Sequence, residues 1–304
     1  MYDVCIIGAG PAGISSAVYA VSRGLKTVVF EQEKVGGLIG KVSTVTHYAS
    51  VDKEETGESF AEKMRKQAEE AGVEIIKEKV RDVDFSKTVK KIVTENNSYE
   101  AKAVIIAAGT KARNLEIPGE KEFAGKGTML NAARDGKKYT GKEIFVVGGA
   151  DGAVKEALYL AKFAEKLTII HFEDTLGAIP QFTDKVSESK NIELELHKRL
   201  TEIRGNNEAD ELVITDVYDG SEKIIRAEGC GIFIYAGSLP ETEMYEGIET
   251  EDGYIITNDK QETNIEGVYA AGDICKKQVR QVATAVADGA VAAINAAVYV
   301  KKFK

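Results

Sequence analysis

Tyr2-Asp3-Val4-Cys5-Ile6-Ile7, followed without a break by Gly8-Ala9-Gly10-Pro11-Ala12-Gly13, is the stretch whose reading decides the fold. An apolar strand runs into a glycine turn, and the turn opens a helix. A second strand follows at residues 26–30 (KTVVF), and Glu31 stands at its end, 18 residues after Gly13. Each residue of the turn has a mechanical reason. Gly8 makes the tight bend, Gly10 lets backbone approach a pyrophosphate, and Gly13 lets helix and strand pack closely. Glu31 is placed to accept both hydroxyls of a ribose. The stretch is therefore the start of a dinucleotide-binding βαβ unit. By itself it suits an NAD-dependent dehydrogenase as well as a flavoprotein.

Working outward, short β-branched strands alternate with amphipathic helices, the pattern of a parallel sheet covered on both faces. Phe60, Met64, Ala68 and Ala71 recur at helical spacing between Glu58 and Ala71, and Gly72 follows as a C-cap. Val89–Glu95 and Tyr99–Gly109 read as strands joined through Asn96-Asn97-Ser98. At Glu143 a second strand-glycine-helix unit opens: IFVVGG, a helix carrying Val154, Leu158 and Ala161, then the strand LTIIH. From Ile192 to Gly237 the alternation around Gly205-Asn206-Asn207 and Asp219-Gly220-Ser221 predicts antiparallel strands. A hairpin at Asp252-Gly253, the segment GVYAAGD and a long last helix need a sheet to pack on, and the N-terminal domain is the expected host. The fold class is α/β: two Rossmann-type domains, the first discontinuous. The expected boundaries are 1–113 with 242–304 for that domain and 114–241 for a second, nucleotide-binding-like domain.

Composition narrows the class. The 304 residues, 43% of them hydrophobic, suffice for two domains with their own cores. A formal charge of -9 without a clustered basic stretch argues against nucleic acid and anionic membrane surfaces, and suits a basic patch on a partner. Val282–Val300 is apolar but broken by Asp288 and Asn295, so it reads as a packed helix, and no membrane span is expected. Cys5, Cys230 and Cys275 share no CxxC spacing; an odd set of free thiols points to a reducing, cytoplasmic setting.

The later motifs separate FAD from NAD. GAGPAG with Glu31, the Gly36-Gly37 pair, the IIAAGT segment with Ala108 and Gly109, and GVYAAGD with Gly272 and Asp273 resemble the two-dinucleotide-binding-domain flavoproteins. The ending from Asp273 through Arg280, Gln281, Val282 and Ala283 to Gly289 resembles the low-molecular-weight thioredoxin reductases, of the class II pyridine nucleotide-disulfide oxidoreductases. The likeness spans nearly the whole chain. It implies FAD on Gly8, Gly10, Pro11, Ala12, Gly13, Glu31, Gly36 and Gly37, with Asp273 on the ribitol and the Val80 backbone on the adenine. Arg280, Gln281 and Ala283 would meet the isoalloxazine edge, and a homodimer is implied. A helix starting near Gln281 would also aim its positive dipole end, with Arg280 beside it, at the flavin.

Three departures qualify that resemblance. Where the family carries Cys-x-x-Cys-Asp-Gly, this chain reads Asn131-Ala132-Ala133-Arg134-Asp135-Gly136. Dithiol exchange needs an attacking thiolate and a resolving sulfur, so thioredoxin reductase activity proper is not expected. The second glycine motif is Gly148-Gly149-Ala150-Asp151-Gly152-Ala153, where Ala150 adds a methyl and Asp151 a negative charge beside the phosphate position. The family's three ribose-phosphate arginines are replaced by Phe172, Glu173 and Gly177. NADPH is disfavoured; NADH stays open through Glu173, and a site that binds neither is the remaining alternative.

His47, near the expected flavin face, is a candidate proton relay or a packed histidine. Cys275 is a candidate redox thiol if exposed, otherwise a structural one, while Cys5 and Cys230 read as core. With Arg280 these complete the candidate catalytic groups. His171 and His197 have no ligand-like company, so no metal is expected. The expected function is an FAD-dependent oxidoreductase without a dithiol relay, working with a redox protein of ferredoxin or flavodoxin type. An NADH-dependent reductase of a small oxidant, or a non-catalytic FAD-binding subunit or sensor, are the rivals.

Overall fold

The computed structural model describes residues 1–303, which form two compact units: Met1–Lys111 with the segment from Leu239 onward, and Ala112–Ser238. The first unit begins β1 (Tyr2–Ile7), α1 (Pro11–Val21), β2 (Thr27–Phe30), α2 (Gly57–Glu70), β3 (Glu74–Ile76), β4 (Val80–Asp84), β5 (Lys90–Thr94) and β6 (Ser98–Ile106). β3, β2, β1 and β6 pair in parallel, as βαβ connections require.

Along its edge away from β1, β6 is long enough to serve two partners. Ser98–Ala101 pairs antiparallel with β5, and Val104–Ile106 pairs parallel with a late strand at Val268–Ala270. Side chains alternate across this sheet with period two. Val4, Ile6, Val29, Ala103 and Ile105 join α1 and α2 in one core, while Cys5, Ile7, Val28, Phe30, Val104 and Ile106 face the other, which includes Val80 and Ile92. The two strands expected on either side of Asn96-Asn97-Ser98 are β5 and β6, and they pair antiparallel. β4, β5 and the start of β6 form an antiparallel meander covering that second face. β3 and β4 lacked a readable signal because they are short and largely solvent-facing.

β7 (Thr110–Ala112) leads to the second unit: α3 (Ala132–Asp135), β8 (Glu143–Val147), α4 (Asp151–Leu160), β9 (Lys166–Ile170), α5 (Pro180–Glu188), β10 (Ile192–Glu195), β11 (Lys198–Gly205), β12 (Ala209–Asp216), β13 (Glu222–Arg226) and β14 (Gly231–Ile234). β10, β9, β8 and β14 make a parallel sheet, and β11, β12 and β13 an antiparallel one. The region 192–237 is thus antiparallel only in its middle. Its two ends, β10 and β14, are edge strands of the parallel sheet, a pairing that local alternation does not reveal.

The chain re-enters the first unit through β15 (Ser238–Pro240), then β16 (Thr250–Glu251), β17 (Tyr254–Ile255), β18 (Val268–Ala270) and α6 (Val282–Val300). By length and composition Val282–Phe303 is apolar enough to cross a membrane. In the fold its small residues lie on α1: Ser15 Oγ donates to the Val286 carbonyl at 2.7 Å, Ser16 Oγ to the Gly289 carbonyl at 3.1 Å. A Cβ on Gly289 would stand 2.2 Å from the Ala12 carbonyl oxygen, so only glycine permits this approach.

Candidate functional site

The site is built around the β1–α1 turn. Gly8 has φ 101°, and a Cβ there would lie 2.5 Å from the Ala107 carbonyl oxygen; one on Gly13 would lie 1.8 Å from the Gly8 carbonyl oxygen. Both glycines are demanded by the fold itself. Gly10 differs: its backbone is extended, and a Cβ would meet nothing within 4 Å. Nothing within the protein requires the missing side chain, and the bare backbone leaves room for a molecule to rest on the turn. Pro11 occupies the first turn of α1, which has no acidic residue there, so the helix presents unopposed amide N–H groups to that space.

Other predicted residues gather on the same turn. Glu31 Oε2 accepts the Ala9 N–H at 2.9 Å, and its Oε1 accepts the Glu33 N–H at 2.8 Å. The Gly36 N–H donates to the Ala9 carbonyl at 2.9 Å, and a Cβ on Gly37 would sit 3.3 Å from the Gly10 Cα. A Cβ on Gly272 would sit 2.8 Å from the Ala12 Cβ, which puts Asp273 at the edge of this group. Ala108 and Gly109 follow β6 at its carboxyl end, beside Gly8. Val80 is buried at the head of β4, opposite Thr94. His47 is exposed, its Nδ1 3.2 Å from Thr46 Oγ1.

Asp273 is the telling residue. Its Oδ1 is buried and has no hydrogen-bond partner among the described residues. Burial pushes its carboxyl above the ordinary value, against the pull of Lys277 and Arg280. A buried acceptor left without a donor is costly, so this oxygen points to a hydroxyl supplied by a bound molecule. Nearby, Asp288 Oδ2 accepts the Gly272 N–H at 3.0 Å and pairs with Lys277. Arg280 is half-buried: Nε donates to the Asp273 carbonyl at 3.4 Å, and the guanidinium lies 4.0 Å from the centre of the Tyr254 ring. Gln281, Val282 and Ala283 open α6, with the Gln281 N–H on Thr284 Oγ1 at 3.1 Å. Sequence reading missed Tyr254 and Asp288; no local pattern marks a residue whose role is to hold another.

Cys275 does not fit the redox reading. It is 1% exposed, and burial raises its thiol to about 12, which keeps it protonated and unreactive at neutral pH.

In the second unit, Gly148 at φ 131° repeats the tight turn, and Gly149 is covered by the His171 ring, 2.5 Å from a Cβ placed there. Asp151 does not simply face the phosphate position, because Oδ1 accepts the Ile179 N–H at 2.8 Å. Glu173 Oε2 lies 3.1 Å from His171 Nε2, and Asp174 accepts from Tyr218 Oη at 2.5 Å. The Arg199 guanidinium, unmarked in the sequence, stacks over Phe172 at 4.7 Å. In the stretch 131–136, Asp135 is buried and accepts from the Asn131 N–H at 2.9 Å, Arg134 Nη2 at 2.7 Å and Lys138 Nζ at 2.8 Å. Burial opposes its ionisation, but these donors outweigh it and hold the carboxyl well below the usual range.

The family model for pyridine nucleotide-disulphide oxidoreductases matches residues 2–289. The chain belongs to this family. Its membership makes it an FAD-dependent oxidoreductase, and the glycine turn, Glu31 and the partnerless Asp273 oxygen fit that cofactor. Among relatives of this oxidoreductase, the thioredoxin reductase of Peptoclostridium acidaminophilum is 41% identical over 99% of the chain and 98% of that protein. The thioredoxin reductase of Lactococcus lactis superposes with a TM-score of 0.95 at 36% identity, covering 99% of this chain and 100% of the other. A ferredoxin-flavin thioredoxin reductase of Clostridium acetobutylicum is 28% identical with a TM-score of 0.55, covering 99% and 98%.

Proposed function

We propose that this oxidoreductase exchanges electrons with a redox partner protein of ferredoxin or flavodoxin type, without a dithiol relay and without NADPH as donor. FAD, when bound, supplies electron transfer in one- or two-electron steps. The protein's part is to hold it and set its surroundings. The α1 amides and Gly10 receive the pyrophosphate, with Gly8, Pro11, Ala12, Gly13, Gly36 and Gly37 shaping the cradle. Glu31 receives the adenosine ribose, the Val80 backbone the adenine, and Asp273 a ribitol hydroxyl. Arg280 and the amides of Gln281, Val282 and Ala283 place positive charge at the isoalloxazine edge, where it favours negative charge on the reduced ring. The assembly is a homodimer.

The observation that carries the reading is the absence of usable sulfur. Residues 131–134 are Asn-Ala-Ala-Arg, and all three cysteines of the chain are buried elsewhere. The name of the Clostridium acetobutylicum relative supports ferredoxin as the partner class. Against NADPH stand the acidic residues Glu173 and Asp174 after β9. A second reading, an NADH-dependent reductase of a small oxidant, is favoured by the retained β8–Gly148–α4 turn. Anaerobic mixing with reduced ferredoxin, NADH and NADPH in parallel, followed by flavin absorbance, separates them. Rapid bleaching with ferredoxin is expected, and none with NADPH. Rapid bleaching by NADH with none by ferredoxin selects the second reading.

A further inference from the structure

We propose that the surface carrying Lys126, Met129, Arg134, Lys137 and Lys138 is the docking site for a small acidic iron–sulfur protein of ferredoxin type; this rests on the partner reading given above. The charge distribution argues for it. Between Lys126 and Lys138 the chain has four cations, Lys126, Arg134, Lys137 and Lys138, against one acid, Asp135, although the whole chain carries -9. That acid is buried and cannot itself contact an approaching partner. It instead anchors the cations, since Arg134 and Lys138 both bond to its carboxylate while their side chains stay 68% and 70% exposed. Two cations sharing one carboxylate leave positive charge over, and Lys126 and Lys137 are exposed without an ion pair among the described residues.

An apolar element completes the surface. Met129 is 47% exposed and held at φ 52°, two residues before Asn131, whose N–H is bonded to Asp135. A left-handed backbone is unfavourable for methionine, so the fold holds it there at a cost. A flexible apolar side chain exposed in a segment that also carries exposed cations suits a partner that is acidic around an apolar contact. A basic partner, which the overall charge would favour, meets repulsion here.

The test measures binding of a purified acidic ferredoxin to the FAD-loaded protein across a salt series. Lys126→Glu with Lys137→Glu leaves the Asp135 anchors in place, and should weaken binding about tenfold or more at low salt, the difference closing near ~0.5 M salt. A second variant, Arg134→Gln with Asp135→Asn and Lys138→Gln, removes two surface cations without stranding a buried carboxylate, and should weaken binding as well. Far-ultraviolet circular dichroism and an unchanged melting transition of the Ala112–Ser238 unit report that each variant is folded. Wild-type protein that binds ferredoxin no better than either variant overturns the surface while leaving the partner reading intact. Wild-type protein that shows no binding at low salt overturns both.

Discussion

Asp273 carries the clearest residue-scale consequence. Its folded carboxyl is raised by burial, so without a ligand the ionised form is a liability: the apoprotein is favoured below the ordinary carboxylate range and loses that advantage as pH rises through the raised value. Asp273→Asn should therefore raise the melting temperature of apoprotein at pH 7 while weakening FAD binding by roughly tenfold, on the order of 1–3 kcal/mol for a charged hydrogen bond. Fluorescence titration of FAD and thermal melts of the apoprotein check both signs. The thiols give a second expectation. Burial lifts Cys5, Cys230 and Cys275 each to about 12. Native protein at pH 8 should then leave all three unlabelled by a thiol reagent that labels them after unfolding. One fast-reacting thiol in the native protein would reopen the case of Cys275.

At the scale of elements, the glycines of the α1 region divide by what they accommodate. Gly289 brings α6 onto the backbone of α1, with 2.2 Å available to a Cβ. Gly289→Ala should cost about 1–3 kcal/mol or more, since backbone cannot yield as a side chain can. Gly10→Ala meets no neighbour and should leave apoprotein stability within ~0.5 kcal/mol while sharply reducing FAD affinity. Denaturant titration with and without FAD distinguishes the two. If Gly10→Ala unfolds the apoprotein, the turn serves the fold and not the cofactor. The glycine spacing that announces this turn is legible in sequence because the geometry is local. The approach of α6 is not, because Gly289 and Ala12 are distant in the chain.

Across the whole molecule, the first unit is closed by two distant pieces of chain: β18 pairs with β6, and α6 lies on α1. The proposed FAD residues come from both pieces, so cofactor binding should stabilise them together. In calorimetry, FAD at about 100 times its dissociation constant should add roughly 2.7 kcal/mol to this unit and little to the Ala112–Ser238 unit. Equal stabilisation of both would show that they do not unfold independently. The net charge belongs to this scale too. Read as a sum, it suits a basic partner; read over residues 126–138, it suits an acidic one, because a docking protein feels the nearest few charges within a Debye length of about 10 Å.

Sequence alone determined the α/β class and the glycine turn, because strand-helix alternation and the spacing from Gly8 to Gly13 are properties of neighbouring residues. It also singled out Asp273, by likeness of motif. Tertiary structure decided which polar atoms are already satisfied. It left Asp273 Oδ1 without a partner, tied Asp151 to Ile179, and locked Asp135 between Arg134 and Lys138. It placed Arg199 on Phe172 and sent β10 and β14 to the parallel sheet. Hydrogen-bond satisfaction and burial depend on contacts between residues far apart in the chain, and no local period encodes them.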